Sequence, residues 1–478
     1  MSGDYQHQNS RTPMVNEEKE PISTGSKRNQ YLAGFAVCLG AFSGGNALSW
    51  TCPALEYLVP QEHNNLTNIT NSTVLDEAPG FTLSTIEIAT VGATVMLGGL
   101  IFAIPSGKFA DIFGRKITLI LISILYTANF ITIAFARDVI ALVTARFIAG
   151  LALGGSCVVG PMYIGEFAEE SLRGVLGSGF NVLLSLGILY STFIGIFTNW
   201  IWLNISLAIP SAITVVSLLF IPESPVYLIA NERFGKARRS LEFFRGNENI
   251  VNDEMIEIQK TLAERDESAT IKELFTEKCY RKSMIAGLGL FMYQQLCGVN
   301  IIVVYLVPIF RAAGSTMAPL AAASATNFIA ALIGILSVVV INKRDRKYFL
   351  CLSGGNMMLG MLGLGVFFHL LHYNILFPGL GMLPIVCVVL FVAGFSIGMG
   401  PVPWILMIEL YTPEIRGIAN GVNIVSNWLT AFVVSFTFPY LMKYLGNVWS
   451  FYLYACINLL GVLFIWFVVP ETRVRYKK

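Results

Sequence analysis

Apolar runs of about 20 residues, each long enough to cross a bilayer, recur along the whole chain and are separated by short polar stretches. They predict spans near 31–52, 84–106, 117–136, 138–161, 175–197 and 201–221. After a longer polar segment come 284–308, 317–341, 348–371, 382–407, 418–441 and 448–469. The pattern is twelve spans, six plus six. The very short connectors after 136 and 197 leave ten or eleven as the competing counts.

Composition agrees. Of 478 residues, 55% are hydrophobic and 13% charged, about half the charge of a soluble domain, and the mean hydropathy is +0.65. Charge placement tests the count. Of 32 Lys and Arg, Arg146 alone falls inside a span, and Arg137, Arg311 and Lys443 face outward if the N-terminus is cytosolic. The other 28 then lie on the cytosolic side, the sense in which basic residues set membrane topology. The net charge of +2 is therefore topological, and no nucleic-acid partner is expected. The eight cysteines are scattered without metal-ligand spacing, and no nucleotide loop or catalytic triad is written in the chain. No cofactor, metal, enzymatic activity or obligate protein partner is expected.

Residues 1–30 are polar, carry no cleavable signal peptide and read as a disordered cytosolic tail. The expected units are a six-helix half at 31–228 with an outer loop at 53–83, a charged cytosolic linker at 229–282 that reads as short amphipathic helices, a second half at 283–470 and a short cytosolic tail at 471–478. The outer loop carries three glycosylation sequons, at Asn65, Asn68 and Asn71, and no Lys or Arg. These point to a multi-pass plasma-membrane protein with both termini cytosolic. A fourth sequon, Asn204, falls at a membrane edge.

The chain repeats itself. "DIFGRK" (111–116) is echoed by "NKRDRK" (342–347), "EFAEESLRG" (166–174) by "ELYTPEIRG" (409–417), and "IPES" (221–224) by "VPET" (469–472). The offsets are 231, 243 and 248 residues, in one order, each at a span end. A duplicated six-span unit produces this, and paired six-helix halves with a substrate site between them at mid-bilayer are a transporter architecture. Charges at such a rim, here Asp111, Arg115, Glu166, Arg173, Glu223, Arg346, Glu409 and Arg416, could pair within and across halves and separate when that side opens. The competing reading is that they only stabilise loop ends.

Two stretches carry candidate binding chemistry. Gln294, Gln295 and Asn300 in the seventh span offer uncharged amides that suit sugar hydroxyls, with Gly298 permitting local unwinding between them. Buried amides also serve as plain helix–helix ties. In the tenth span "GMGPVPW" (398–404) predicts a kink followed by Trp404, whose ring can stack on a pyranose face.

The ordered set "GKFADIFGRK", "RFIAGLALGG", "PMYIGEFAEESLRG", "PESPVYL", "QQLCGVN", "GPVPWILMIELYTPEIRG" and "PET" resembles the sugar porter branch of the major facilitator superfamily from about 30 to 472. Within that branch the outer loop and "SLEFFRG" look most like insect facilitative hexose and trehalose carriers. The resemblance implies an all-α membrane protein of twelve helices in two pseudo-symmetric halves. It implies that Gln294, Gln295, Asn300, Trp404, Asn181 and Asn427 contact sugar, and that Tyr305 is the outer gate. The chain departs from the family pattern at Asn181, Val304, Asn342, Ser396 and Ala431. Proton-coupled members place an aspartate in the first span near a fourth-span arginine. Here Arg146 is present, but the aspartate position falls at about Ala47 and no acid lies deep in a span. The expectation is downhill transport of a hexose such as glucose, or of trehalose, by alternating access. A proton symporter or a sugar sensor on the same fold are the alternatives.

Overall fold

The computed structural model describes residues 27–59, 80–263, 271–314, 317–341, 344–375 and 378–472. The sequons at Asn65, Asn68 and Asn71, and also Asn342, lie outside them. The described chain is helical and contains twelve helices long and apolar enough to cross a membrane. In order these are span 1 (Lys27–Leu58), span 2 (Thr85–Phe113), span 3 (Arg115–Ala134), span 4 (Val139–Phe167), span 5 (Glu170–Ile194) and span 6 (Trp200–Leu219). Spans 7 to 12 are Tyr280–Ala312, Pro319–Val340, Arg346–His372, Leu380–Met407, Gly417–Tyr444 and Gly446–Val468. Twelve is the count, and the short connectors after spans 3 and 5 are real turns: Asp138 and Asn199 each cap the following helix with a side-chain oxygen.

The ends differ from expectation where polar residues continue a helix. Residues 27–30, expected in the tail, are the first turn of span 1. The buried Gln30 amide anchors them, donating to the Phe244 carbonyl at 3.1 Å and accepting from the Glu169 N–H at 3.0 Å. At its other end span 1 breaks at Trp50 and resumes as a helix over Thr51–Leu58, so 53–58 are not loop. Pro53 sits in the first turn of that helix, where it costs no hydrogen bond. Asn204 is fully buried and accepts from the Trp50 indole N–H at 2.7 Å, which removes it as a glycan acceptor.

Spans 1 and 5 pack through glycine. A Cβ on Gly187 would lie 2.1 Å from the Phe42 carbonyl oxygen, and one on Gly45 would lie 2.0 Å from the Leu184 carbonyl oxygen. Such close backbone approach is how apolar helices associate where no hydrophobic force separates protein from lipid. Among the described residues the N-terminal half meets the C-terminal half chiefly where span 2 packs against span 11, span 5 against span 8, and the end of span 1 against span 7.

Between spans 6 and 7 the linker is helical, at Pro225–Ala230, Phe234–Arg245, Glu248–Ala263 and Ile271–Thr276. Its first part docks on the N-terminal half: Arg245 donates to the Phe167 carbonyl at 2.9 Å, and Phe244 stacks on Phe167 at 4.8 Å. Leu274 of the last helix packs with Met284, Tyr411 and Ile415 of the C-terminal half. This end of the bundle is called the linker end below, and the opposite one the far end.

Gly187→Val is expected to abolish the monodisperse species in size-exclusion chromatography, because branched carbon meets backbone that cannot move aside. Gly177→Val, in the same span but with nothing within 4 Å of an added Cβ, is the control expected to fold.

Candidate functional site: polar side chains at the linker end and between the halves

The three echoed phrases meet in space, once in each half. In the N-terminal half the Arg115 guanidinium pairs with Glu166 at 2.8 Å and Asp111 at 3.0 Å, and donates to the Ala110 carbonyl at 3.0 Å. Glu223 accepts the backbone N–H groups of Arg115 and Lys116 at 2.9 and 3.0 Å, capping the start of span 3. The Ser224 hydroxyl donates to Glu166. In the C-terminal half Arg346 pairs with Glu409 at 3.2 Å and donates to the Ile341 carbonyl at 2.9 Å. Glu471 accepts from the N–H groups of Arg346 and Lys347 at 3.1 and 3.0 Å, and Thr472 bonds Glu409. Each of these partners except Asp111 recurs at its offset. A carboxylate at a helix N-terminus also meets the positive end of the macrodipole.

The expectation is pairing within and across the halves; the described pairs of these charges lie within each half. Each glutamate pairs with the arginine of the "GRK" or "DRK" phrase, and Glu166 is not paired with Arg173, the arginine seven residues after it. Arg173 instead reaches the Ala168 carbonyl at 3.3 Å, and the Arg416 side chain lies outside the described ones. Sequence reading left Ser224, Glu471 and Thr472 out of the candidate set; their place in the echoed "PES" and "PET" was the available signal. The two copies differ at the turn. Gly114 adopts φ 99°, and a Cβ there would lie 2.3 Å from Glu223. Its counterpart Asp345 has φ −62°, so the second copy needs no glycine.

Within the C-terminal half, span 7 unwinds at Gly298 (φ 97°). Span 10 contains a π-helical turn at Phe395–Met399 ahead of Pro401 and Pro403. Pro403 has no N–H for the carbonyl of Met399. The Gln294 amide supplies one, donating to Met399 at 2.8 Å and to Gly400 at 3.2 Å, while its oxygen accepts from Asn427 at 2.9 Å. Asn427 also donates to the Phe291 carbonyl at 3.1 Å and accepts from Gln295 at 2.9 Å, and Gln295 accepts from Asn300 at 2.6 Å. One amide chain thus ties spans 7, 10 and 11. Both hydrogens of Gln294 and of Asn427 are used inside the protein. The half-buried Gln295 keeps one amide hydrogen free, and Trp404 stands beside the chain with its ring edge-on to Phe291 at 5.2 Å. Asn181 is exposed on span 5, in the other half.

Arg146 is fully buried, and no acid pairs with it among the described residues. It donates to the Ala47 carbonyl at 2.6 Å and to the Thr51 hydroxyl at 3.2 Å, and lies over the Trp50 ring at 5.0 Å. These contacts gather around the break in span 1.

The described contacts between halves sit in the middle and at the far end. Trp428 fills the space beside Gly99, and Asn327 donates to Thr192 at 3.2 Å. The Tyr305 ring is buried, its hydroxyl donating to the Ser435 carbonyl at 3.0 Å and standing 2.5 Å from where a Cβ on Gly92 would be. Glu56 of span 1 pairs with Arg311 of span 7 at 2.5 Å. This pair is absent from the sequence-derived set, although Arg311 is one of only three basic residues expected on that face. At the linker end, by contrast, the two charge clusters described above are each closed within one half.

Arg115→Met leaves Glu166 buried without its cation, a loss of about 3–5 kcal/mol for a pair this enclosed. The expected result is a clear fall in unfolding temperature in detergent. Arg346→Met is expected to cost less, because Glu409 is more exposed.

The sugar (and other) transporter family matches residues 26–477. Among characterised relatives, the facilitated trehalose transporter Tret1 of Polypedilum vanderplanki is 31% identical over 93% of this chain and 86% of that protein. The Bombyx mori protein of the same name is 30% identical over 97% and 89%. The Drosophila grimshawi protein is 32% identical over 93% of this chain but 46% of its own length, so the chain spans about half the length of such relatives. Among solved structures, the partially occluded inward-open xylose transporter XylE from E. coli superposes with a TM-score of 0.76 at 22% identity, covering 94% of this chain and all of that one. The twelve-helix bundle is thus a shared fold, and the chain belongs to the sugar (and other) transporter family.

Proposed function

We propose that the chain is a facilitative sugar transporter that moves a hexose such as glucose, or trehalose, across the plasma membrane by alternating access. The observation that carries this reading is the amide chain at the broken centres of spans 7 and 10, next to Trp404. Gln295, Asn300 and Trp404 offer the free donors and the aromatic face, and Asn181 is an exposed amide on span 5 of the other half. Gln294 and Asn427 act as positioning residues, since their hydrogens already hold the kink. Asn65, Asn68 and Asn71 are glycan sites on an outer loop, and the linker and both termini are cytosolic, the orientation favoured by the distribution of basic residues. Trehalose as substrate is supported by the names of the insect relatives.

Alternating access asks the two ends to open in turn. The far-end contacts Glu56–Arg311 and Tyr305–Gly92 hold the outer side shut, while the rim clusters keep each half rigid. Arg146 has backbone, hydroxyl and indole partners in place of a carboxylate, so among the described residues no proton carrier pairs with it. That favours uniport over symport.

Counterflow of labelled glucose and labelled trehalose into proteoliposomes tests the function. One of them is expected to exchange at a rate indifferent to an imposed pH gradient. Gln295→Ala and Trp404→Ala are expected to raise its KM by about tenfold each, the equivalent of about 1.4 kcal/mol of contact. A rate that follows the proton gradient would establish symport instead, and no counterflow of either sugar by folded protein would favour a sensor.

The Glu56–Arg311 pair is partly exposed and is worth about 0.2–1 kcal/mol. Its removal in Arg311→Met is expected to raise far-side labelling of the buried Cys52 by a membrane-impermeant maleimide up to about fivefold. Exchanging the two charges (Glu56→Arg with Arg311→Glu) is expected to restore protection. Labelling that ignores both variants would remove the pair from the gate.

A further inference from the structure

On the seam between spans 5 and 8 lies a groove of about 630 Å³. Leu186, Tyr190 and Phe193 form one wall, from the N-terminal half, and Ala321, Ala325 and Phe328 form the other, from the C-terminal half. Each set sits on one helix face, at spacings that repeat every three or four residues. Phe42 of span 1 lines the groove as well, its ring 5.3 Å from Tyr190. Phe193 and Phe328 are 49% and 52% exposed, whereas Thr192 and Asn327, the bonded pair of the same seam, are buried. The groove therefore opens outward from the bundle.

Its depth identifies what it meets there. Phe193 is one residue from the far end of span 5 and Ala321 is two residues into span 8. From those positions to Leu186 and Phe328 each helix advances roughly 10 Å. That lies within one leaflet of a hydrocarbon core about 30 Å thick. At this depth on the outer surface of a membrane bundle the medium is lipid tail, and the walls offer almost nothing polar to any other ligand. The Tyr190 hydroxyl turns to the Ser206 carbonyl at 3.4 Å.

We propose that this groove is a binding site for a single acyl chain of a far-leaflet phospholipid, and that the bound chain joins the two halves. Binding rests on packing and shape, because lipid tails are as apolar as the walls and no hydrophobic gain distinguishes them. A concave seat supplies packing that a convex helix surface does not. One chain in the groove touches both halves at once, so it stabilises the arrangement in which these walls face each other. A movement that changes the angle between spans 5 and 8 reshapes the seat.

The test reads lipid contact and not transport, so it stands apart from the proposed function. The protein is reconstituted in nanodiscs of phosphatidylcholine carrying a mid-chain diazirine, irradiated, and mapped by peptide mass spectrometry. Adduct yield on 186–196 and 321–328 is expected to exceed that on the lipid-facing surface of span 6 (Ile209, Ile213, Val216) at least fivefold. Ala325→Trp fills the groove from its open side and is expected to lower the groove adducts about fivefold while leaving the span 6 yield unchanged. Equal yields at the two surfaces in the unaltered protein would mean ordinary boundary lipid and would overturn the proposal, whether or not the tryptophan variant folds. Groove adducts that persist in a folded Ala325→Trp protein would overturn it as well.

Discussion

Inside a bilayer no water is available to satisfy a freed backbone carbonyl, so every break in a span must be answered by another part of the protein. This chain breaks three spans near the centre of the bundle and answers each differently. Arg146 gives a hydrogen to Ala47 beside the break in span 1. Gly298 lets span 7 turn without strain. Gln294 replaces the N–H that Pro403 lacks in span 10. The breaks are what expose polar groups at mid-membrane, and the answering side chains decide which of those groups remain free for a ligand.

The same constraint explains the repeated charged phrases. Span 3 and span 9 each begin with an arginine at the membrane edge, where a cation and the unpaired N–H groups of a helix start both need partners. A glutamate from the end of the next span meets the guanidinium, and a second glutamate from the end of the half meets the backbone. Each half is thereby closed on itself at the linker end. Among the described residues, what joins the halves is lighter: small residues against Tyr305 and Trp428, an amide bond and a partly exposed ion pair. Two rigid bodies with weak mutual contacts can rock within a balance of a few kcal/mol.

Arg146 shows how one substitution changes the chemistry available to such a fold. A buried guanidinium is costly unless it is paired. With Ala47 beside it, the charge is spread over a carbonyl, a hydroxyl and the Trp50 ring, none of which carries a proton through a transport cycle.

Apolar length together with the placement of basic residues pointed to the twelve spans, because a stretch of apolar residues long enough to cross a bilayer has no other stable place to go. The duplication was equally legible, since insertions in loops shift offsets but leave the charged phrases in order. So were the weak points at Gly298 and in "GPVPW", where residue type dictates backbone freedom. Helix ends were read short at Gln30 and Leu58, because polar residues there are held by tertiary bonds that composition does not reveal. Partner choice lay beyond the sequence. That Glu166 meets Arg115 and not Arg173, that Gln294 turns to the kink while Gln295 keeps a hydrogen free, and that Glu56 meets Arg311 across the halves are facts of helix rotation and packing. A one-dimensional pattern specifies which face of a helix is polar. Only the assembled bundle specifies what that face meets.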